Sequence, residues 1–327
     1  MQCVKDISVS ENKLPILATK KYLSSLNFID DYGYFIEENY ILPYIVKKHY
    51  FLKYVQFVTN IIDLGNSDNN IEEQIIFFDN VIKYLKKHKV SDFINCRSSA
   101  IFPFKPKKSF YCRFGSYIVD LRENEDTLFK KMHSKHRNVI RKAEKDNVQI
   151  YNGVEYYDDC VRIIKETYAR QNKIVGSDNH FDQFLRLDKY SQFWIAKWNG
   201  EIQGCAIYVW SPGQTCYYIH GGSIEQPHIG SLNLLQWKAM LYMKSKSVEN
   251  FDFVGARINP PKGSKYEGIQ RFKERFGGCL CQGYIFKIKI NKLKYLLFIC
   301  ANYVYCLLKG SIYKGDVIDQ ERKRGMI

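Results

Sequence analysis

Between residues 147 and 290 the sequence switches repeatedly between period-two and period-3.6 hydrophobic patterning, and the order of those switches leaves few folds open. VQIYNG has strand character, YYDDCVRIIKETYARQ and HFDQFLRLDKY read as two helices, and QFWIAKW and EIQGCAIYVW read as strands. Asn199-Gly200 between those strands is a strong hairpin signal, because both residues tolerate the positive φ of a tight primed turn. Ser211-Pro212-Gly213 turns the chain into QTCYYIHGG. SLNLLQWKAMLYMKSKS follows as a helix, apolar nearly all round and so expected to be deeply buried, with Ser231 as its N-cap. FDFVGA is a short buried strand, EGIQRFKERFGG a helix ended by Gly277, and CLCQGYIFKIKI a last strand. Written out, the order is β-α-α-β-β-β-α-β-α-β, which predicts an α/β chain with mixed sheets.

The first 120 residues are less regular. ILPYIVKKHYFLKYVQF is rich in strand formers, and NIIDLGNSDNN ends in a polar cluster that suits a turn. IEEQIIFFDNVIKYLKKH is a clear helix over 71–88, with Ile71, Ile75, Phe78, Ile82 and Leu85 as its expected buried stripe. DFINCRSSAIF and FYCRFGSYIVDL return to strand composition on either side of FPFKPKKS. From Lys130 to Lys145 the segment carries seven Lys or Arg against one Glu and predicts one amphipathic helix with a cationic outer face.

Lys plus Arg number 49 against 34 acidic residues, a formal charge of +15, which favours anionic partners such as nucleic acid, nucleotide phosphates or a membrane face. The ten cysteines show no CxxC pair, so they read as free thiols of a reducing cytoplasm and mostly as small buried apolar side chains. No metal-ligand pattern occurs. MQCVKDISVSENKLP lacks the apolar core of a signal peptide. LKYLLFICANYVYCLL, residues 293–308, falls short of the ~20 apolar residues of a spanning helix. It reads as a helix packed on the rest of the chain or one lying in a membrane interface, flanked by Lys287, Lys289, Lys292 and Lys314.

The order of elements from 147 to 290 matches the GNAT acyltransferase fold, and at the residue level the second half resembles the Fem-type (FemAB) peptidyltransferases. SKHRNVIRKAEK, YYIHGGS, SLNLLQWKAM, FDFVGA and above all GIQRFKERFGG carry that resemblance. It implies two GNAT-like domains packed side by side: a degenerate one over 1–145, an acyltransferase domain over 146–290, and a C-terminal helix and tail over 291–327 packing back on the first. No long helical insertion interrupts the second domain, so the chain looks like the armless type.

The resemblance implies transfer of an aminoacyl or acyl group to an amine of a cell-wall or surface-glycan precursor. Such a reaction needs no enzyme nucleophile. It needs the acyl carbonyl held against an unprotonated amine, with donors aimed at the developing oxyanion. In a GNAT-like sheet those donors lie where neighbouring strands splay, here between His220-Gly221-Gly222 and the strand ending at Gly255. Lys273, after Phe272 in the GIQRFKERFGG segment, is by resemblance the cation at the reaction centre, with Phe272 beside the substrate. Asp252 could orient the amine or take its proton, or simply cap a loop. His220 could be a base or a hydrogen-bonded structural residue. Arg137, Arg141 and Lys142 are candidates for phosphate contact.

No tightly bound cofactor is expected. The loop Gln226-Pro227-His228-Ile229-Gly230-Ser231 places Ile229 and Ser231 where a pyrophosphate cradle has glycines, which favours aminoacyl-tRNA over acyl-CoA as donor. Expected partners are a tRNA acceptor end, a nucleotide- or lipid-linked precursor and a membrane surface touched by 293–308. An acyl-CoA-dependent N-acyltransferase of amino sugars is the alternative within the fold, and a non-catalytic basic binding protein the alternative outside it.

Overall fold

A computed structural model describes residues 1–49, 51–65, 70–171, 178–308, 310 and 312–326. The elements run β1 (Gln2–Val4), α1 (Lys20–Ser25), β2 (Asp31–Glu37), β3 (Tyr40–His49), β4 (Leu52–Phe57), β5 (Ile62–Asp63), α2 (Ile71–Lys87), β6 (Phe93–Cys96) and β7 (Phe110–Asp120). The next are α3 (Glu125–Lys131), α4 (Ser134–Lys145), β8 (Gln149–Asn152), α5 (Tyr157–Ala169), α6 (Asp182–Leu185), β9 (Ser191–Trp198), β10 (Glu201–Val209) and β11 (Thr215–Ser223). Last come α7 (Ser231–Ser245), β12 (Asn250–Asp252), β13 (Ala256–Arg257), α8 (Lys265–Glu274), β14 (Cys279–Lys289), α9 (Lys292–Leu308) and α10 (Val317–Lys323).

The strands join in one mixed sheet in the order β1-β2-β3-β4-β6-β14-β7-β12-β11-β10-β9-β8, with β5 on β3 and β13 on β7. Two pairs are parallel, β4–β6 and β11–β12, and each is bridged by a helix, α2 and α7. A parallel pair requires such a crossover. The same strand–helix–strand unit thus occurs once in each half.

The halves exchange strands at the centre of the sheet. β14 pairs with β6 over 287–289 and with β7 over 279–287, while β7 pairs with β12 through Ile118–Asp120. The sheet has no seam at residue 145. One buried cluster belongs to both halves, joining Leu17, Tyr34, Ile45 and Val58 to Ile163, Phe184, Ile195 and Tyr217.

Several local expectations are corrected. The basic segment is two helices, not one. Met132 is extended, and His133 caps α4 by accepting from the Lys135 N–H. Gly230, at φ 85°, is the N-cap of α7, and Ser231 is its buried first residue. The second helix after 147 is reduced to the four residues of α6 with short 3-10 turns around it. α2 buries Gln74, Phe77, Phe78, Val81 and Leu85, a face turned from the expected stripe: Phe77 stacks on Tyr40, while Phe78, common to both faces, meets Phe57, Phe102, Phe104 and Phe286 edge-on. Burying aromatic area outweighs keeping Ile71 and Ile82 inside. Part of the expected NIIDLGNSDNN turn lies outside the described residues. Cys96, Cys112, Cys160, Cys205 and Cys216 are buried, but Cys279, Cys281 and Cys300 are exposed.

The hairpin at Asn199-Gly200 forms with both residues at positive φ, and Gly213 closes the Ser211-Pro212-Gly213 turn at φ 68°. α7 is deeply buried, as its composition requires.

Candidate functional site

The parallel pairing of β11 and β12 stops after three residue pairs, at Tyr217–Asp252. Beyond that point the strands part. On the β11 side the register against β10 jumps from Tyr208–Tyr218 to Ile207–His220, so Ile219 is an extra residue, a β-bulge. A bulge increases local twist and leaves backbone groups outside the ladder, and here it lies just beyond the last β11–β12 pair. On the β12 side Val254 and Gly255 take φ 43° and 75° before β13 resumes pairing with β7. A β-branched residue at positive φ is strained by about 1–3 kcal/mol and persists only where its neighbours hold it.

Two sequence candidates do the holding. Lys273 reaches from α8 and donates to the carbonyls of Val254, at 2.6 Å, and Gly255, at 2.8 Å. Asp252 Oδ1 accepts the Val254 N–H at 2.7 Å and a hydrogen bond from the Ser116 hydroxyl. Val254 is therefore gripped at both its N–H and its C=O. Lys273 is buried; burial pulls its pKa down to about 8, against the opposing pull of the Asp252 charge. Burial raises the Asp252 pKa, while Ser116, the Val254 N–H and Lys273 work the other way. A lysine and a carboxylate drawn toward neutral pH from opposite sides are the groups proton transfer needs. Asp252 thus caps a loop and also faces a cavity of about 600 Å³, which it lines with Ser116, Thr59, Ser99 and Tyr217 at the junction of the two halves.

His220 is held at its Nδ1 by the Tyr168 hydroxyl at 3.0 Å and packed by Phe181 and Phe184. Burial, then the neighbouring His180, pushes its pKa down to about 3, so the ring is neutral. A β-carbon on Gly222 would press on the Ile163 carbonyl and the Thr167 hydroxyl of α5, and one on Gly221 would strike the Tyr218 hydroxyl. Helix packing is what requires Gly222.

The other sequence candidates do not converge on the fork. Phe272 packs on His136 and Phe276, and its carbonyl meets His136 Nε2 at 3.0 Å. Arg137 turns back on the carbonyls of Lys130 and Met132. Arg141 lies over the Phe129 ring, and Lys142 pairs with Asp146 at 2.7 Å.

Sequence reasoning missed a second basic cluster. Lys47 of β3, Arg97 after β6 and His180 stand close together, so that the Arg97 charge opposes protonation of Lys47 and both charges oppose protonation of His180. Burial, then the Arg97 charge, lowers Lys47 to about 8, and burial followed by Lys47 and Arg97 lowers His180. Arg97 bonds to neutral oxygens, Gln56 Oε1 at 3.1 Å and the Tyr22 hydroxyl at 3.3 Å. Among the described residues no carboxylate pairs with Lys47 or Arg97. The cluster adjoins the fork: His180 neighbours His220, and Ser98, next to Arg97, stands where a β-carbon on Gly255 would meet it. The available signal was a charge set inside an apolar strand run, Lys47 in YILPYIVKK and Arg97 in FINCR.

The loop before α7 is tied down. His228 stacks on Trp198 and meets Asp146 Oδ2 at 2.8 Å, and the Val139 carbonyl occupies the place of a β-carbon on Gly230. Gly230→Ala should therefore lose more than about 1 kcal/mol in urea unfolding, from the left-handed φ and the clash with α4. A stability equal to wild type would mean that α4 moves aside freely.

No family model matches the chain, and no curated protein matches it in sequence. Among solved structures, FemX matches at a TM-score of 0.64 and 13% identity, covering 91% of this chain and 99% of that one. The C-terminal domain of a putative lysylphosphatidylglycerol synthetase from Agrobacterium fabrum matches at 0.53 and 14%, covering 84% and 89%. L-PGS from Bacillus licheniformis matches at 0.50 and 12%, covering 86% and 91%. The mixed α/β fold of this chain is therefore shared with FemX and with the lysylphosphatidylglycerol synthetase domain.

Proposed function

We propose that the chain is an acyltransferase moving an aminoacyl or acyl group onto an amine of a phosphate-bearing cell-envelope precursor. The observation that carries this reading is the fork itself: a bulged strand end, a strained Val254-Gly255 turn and a buried ammonium hydrogen-bonded to both carbonyls of that turn. Backbone N–H groups freed by the bulge suit an oxyanion, and the Lys273 charge adds to their field in a site of low dielectric. The amine attacks the acyl carbonyl, its proton passes toward Asp252, and the donor's oxygen or sulfur leaves with the electron pair.

Lys47 and Arg97 support an anionic acceptor, since cations without carboxylate partners match phosphate oxygens, and the His180 ring beside them adds an N–H donor. The names of the matched structures fit, because lysylphosphatidylglycerol is itself an aminoacylated, phosphate-bearing molecule. Aminoacyl-tRNA is the donor we favour. The Gly230 loop packs against α4, where an acyl-CoA enzyme would hold its pyrophosphate on an open helix N-terminus.

A donor panel tests the reading: labelled aminoacyl-tRNA against acetyl-CoA, each with amine acceptors that do or do not carry a phosphate. Transfer from aminoacyl-tRNA to the phosphorylated amine is the expected result. Lys47→Ala and Arg97→Ala should each raise KM for that acceptor about tenfold or more with little change in kcat. Transfer from acetyl-CoA alone would replace the donor, and no transfer from either would leave a binding protein.

A further inference from the structure

A cavity of about 1010 Å³ opens between α2, the 106–110 segment, the end of β14 and the first turns of α9. Ile82, Ile288, Ile290, Leu296 and Ile299 give it an apolar lining. Lys83, Lys86, Lys107, Lys108, Lys289 and Lys292 also line it, against one carboxylate, Asp79. Lys289 sits 4.0 Å over the Phe110 ring and 4.6 Å over Tyr295, and the other five lysines are exposed. Lys287, expected from sequence among the flanking cations, instead turns inward to Asp316 and Asp319.

α9 runs on from this cavity, and residues 295–308 contain no charged side chain. Its inner side is narrow. Tyr295, Phe298 and Ile299 pack on Leu52, Tyr54 and Phe93, and the Asn302 side chain bonds back to the Phe298 carbonyl. Tyr295 is the one buried residue of the helix, so the packing expected from sequence holds only along this stripe. The outer side is apolar and open: Leu293, Leu307 and Leu308 are 67, 77 and 80% exposed, with Leu297 and Val304 beside them. An apolar strip of this length on a protein surface marks an interaction site. Among the described residues no helix is long and apolar enough to cross a membrane.

We propose that α9 lies along the surface of an anionic phospholipid bilayer, with the lysine-lined cavity taking the phosphate of one lipid. Charge selects this occupant. A second copy docked through α9 about a twofold axis would bring both lysine sets together and repel. An anionic bilayer supplies the opposite charge beside hydrocarbon that needs no hydrogen bonds, and each lysine near such a surface contributes about 1 kcal/mol.

Vesicle co-sedimentation of the full chain tests this without any acyl donor, so its outcome is independent of the transfer reading. Partition should be at least tenfold stronger onto vesicles containing about a third phosphatidylglycerol than onto phosphatidylcholine alone, and should weaken as salt rises. Leu297→Glu/Leu307→Glu should abolish binding with an unchanged melting profile, since both side chains point to solvent. Lys107→Ala/Lys108→Ala/Lys292→Ala should remove the preference for phosphatidylglycerol. Equal binding of wild type and the Leu297→Glu/Leu307→Glu variant, no binding to either vesicle, or a stable dimer broken by Leu297→Glu would each overturn the assignment. So would full competition by soluble glycerol phosphate, which would make the cavity a site for a free headgroup.

Discussion

Lys273→Ala is expected to lower transfer at least about a hundredfold and to reduce the unfolding free energy by about 1–3 kcal/mol. The kinetic loss follows from removing a fixed cation in a water-poor site. The stability loss follows from leaving two carbonyls, Val254 and Gly255, without their donor. Lys273→Arg separates the effects, because it keeps charge but cannot place one nitrogen between both oxygens.

The pH dependence supplies a second readout. The folded-state pKa of Lys273 is depressed, from 10.5 to about 8. Between those values the unfolded chain holds a proton that the folded chain has released, so stability contributed by this group rises with pH across that window. Wild-type transfer should decline above about pH 8 as the ammonium is lost, and the Arg variant should lack that limb. Turnover equal to wild type in Lys273→Ala would remove the residue from the reaction centre.

Glu321→Ala should be the most destabilising single change, by about 3–5 kcal/mol in urea or thermal unfolding. Glu321 is fully buried on α10, bound to Arg257 at 2.7 Å and to Arg324. Removing it strands the half-buried Arg257, which is the general reason for so large a cost. Arg257 belongs to β13, two residues beyond Gly255, and stacks 3.7 Å over Tyr266 of α8. The tail thus braces both the strained turn and the helix that carries Lys273, so activity should fall with stability. Glu321→Gln, which preserves shape and part of the hydrogen bonding, should lose less. A melting profile unaltered by Glu321→Ala would show that α10 is dispensable.

Much of the second half was legible in the sequence because its elements are long and punctuated. Asn199-Gly200 fixed a hairpin by local sterics alone, and α7 announced its burial by composition. Lys273 was legible only through resemblance: a lysine between Phe272 and Glu274 reads as solvated, and its burial depends on the turn at Val254. The face of α2 was misjudged because helical period does not say whether Ile82 or Phe77 meets the aromatic cluster. The strand exchange and the Lys47–Arg97–His180 cluster were illegible for one reason. Both depend on pairings between segments far apart in the chain, which no local pattern encodes.

The exchange also constrains how the molecule comes off the ribosome. Residues 110–118 gain their neighbour on the β14 side only when residues 279–287 have been made, and β6, already paired with β4, waits for the same segment on its other edge. Until then two strand edges of the early half stand open, a template for pairing with other chains. Closure of the sheet is a late, non-local event, and such topologies fold slowly. A chain truncated before Cys279 should accumulate as aggregate, not as a folded amino-terminal half.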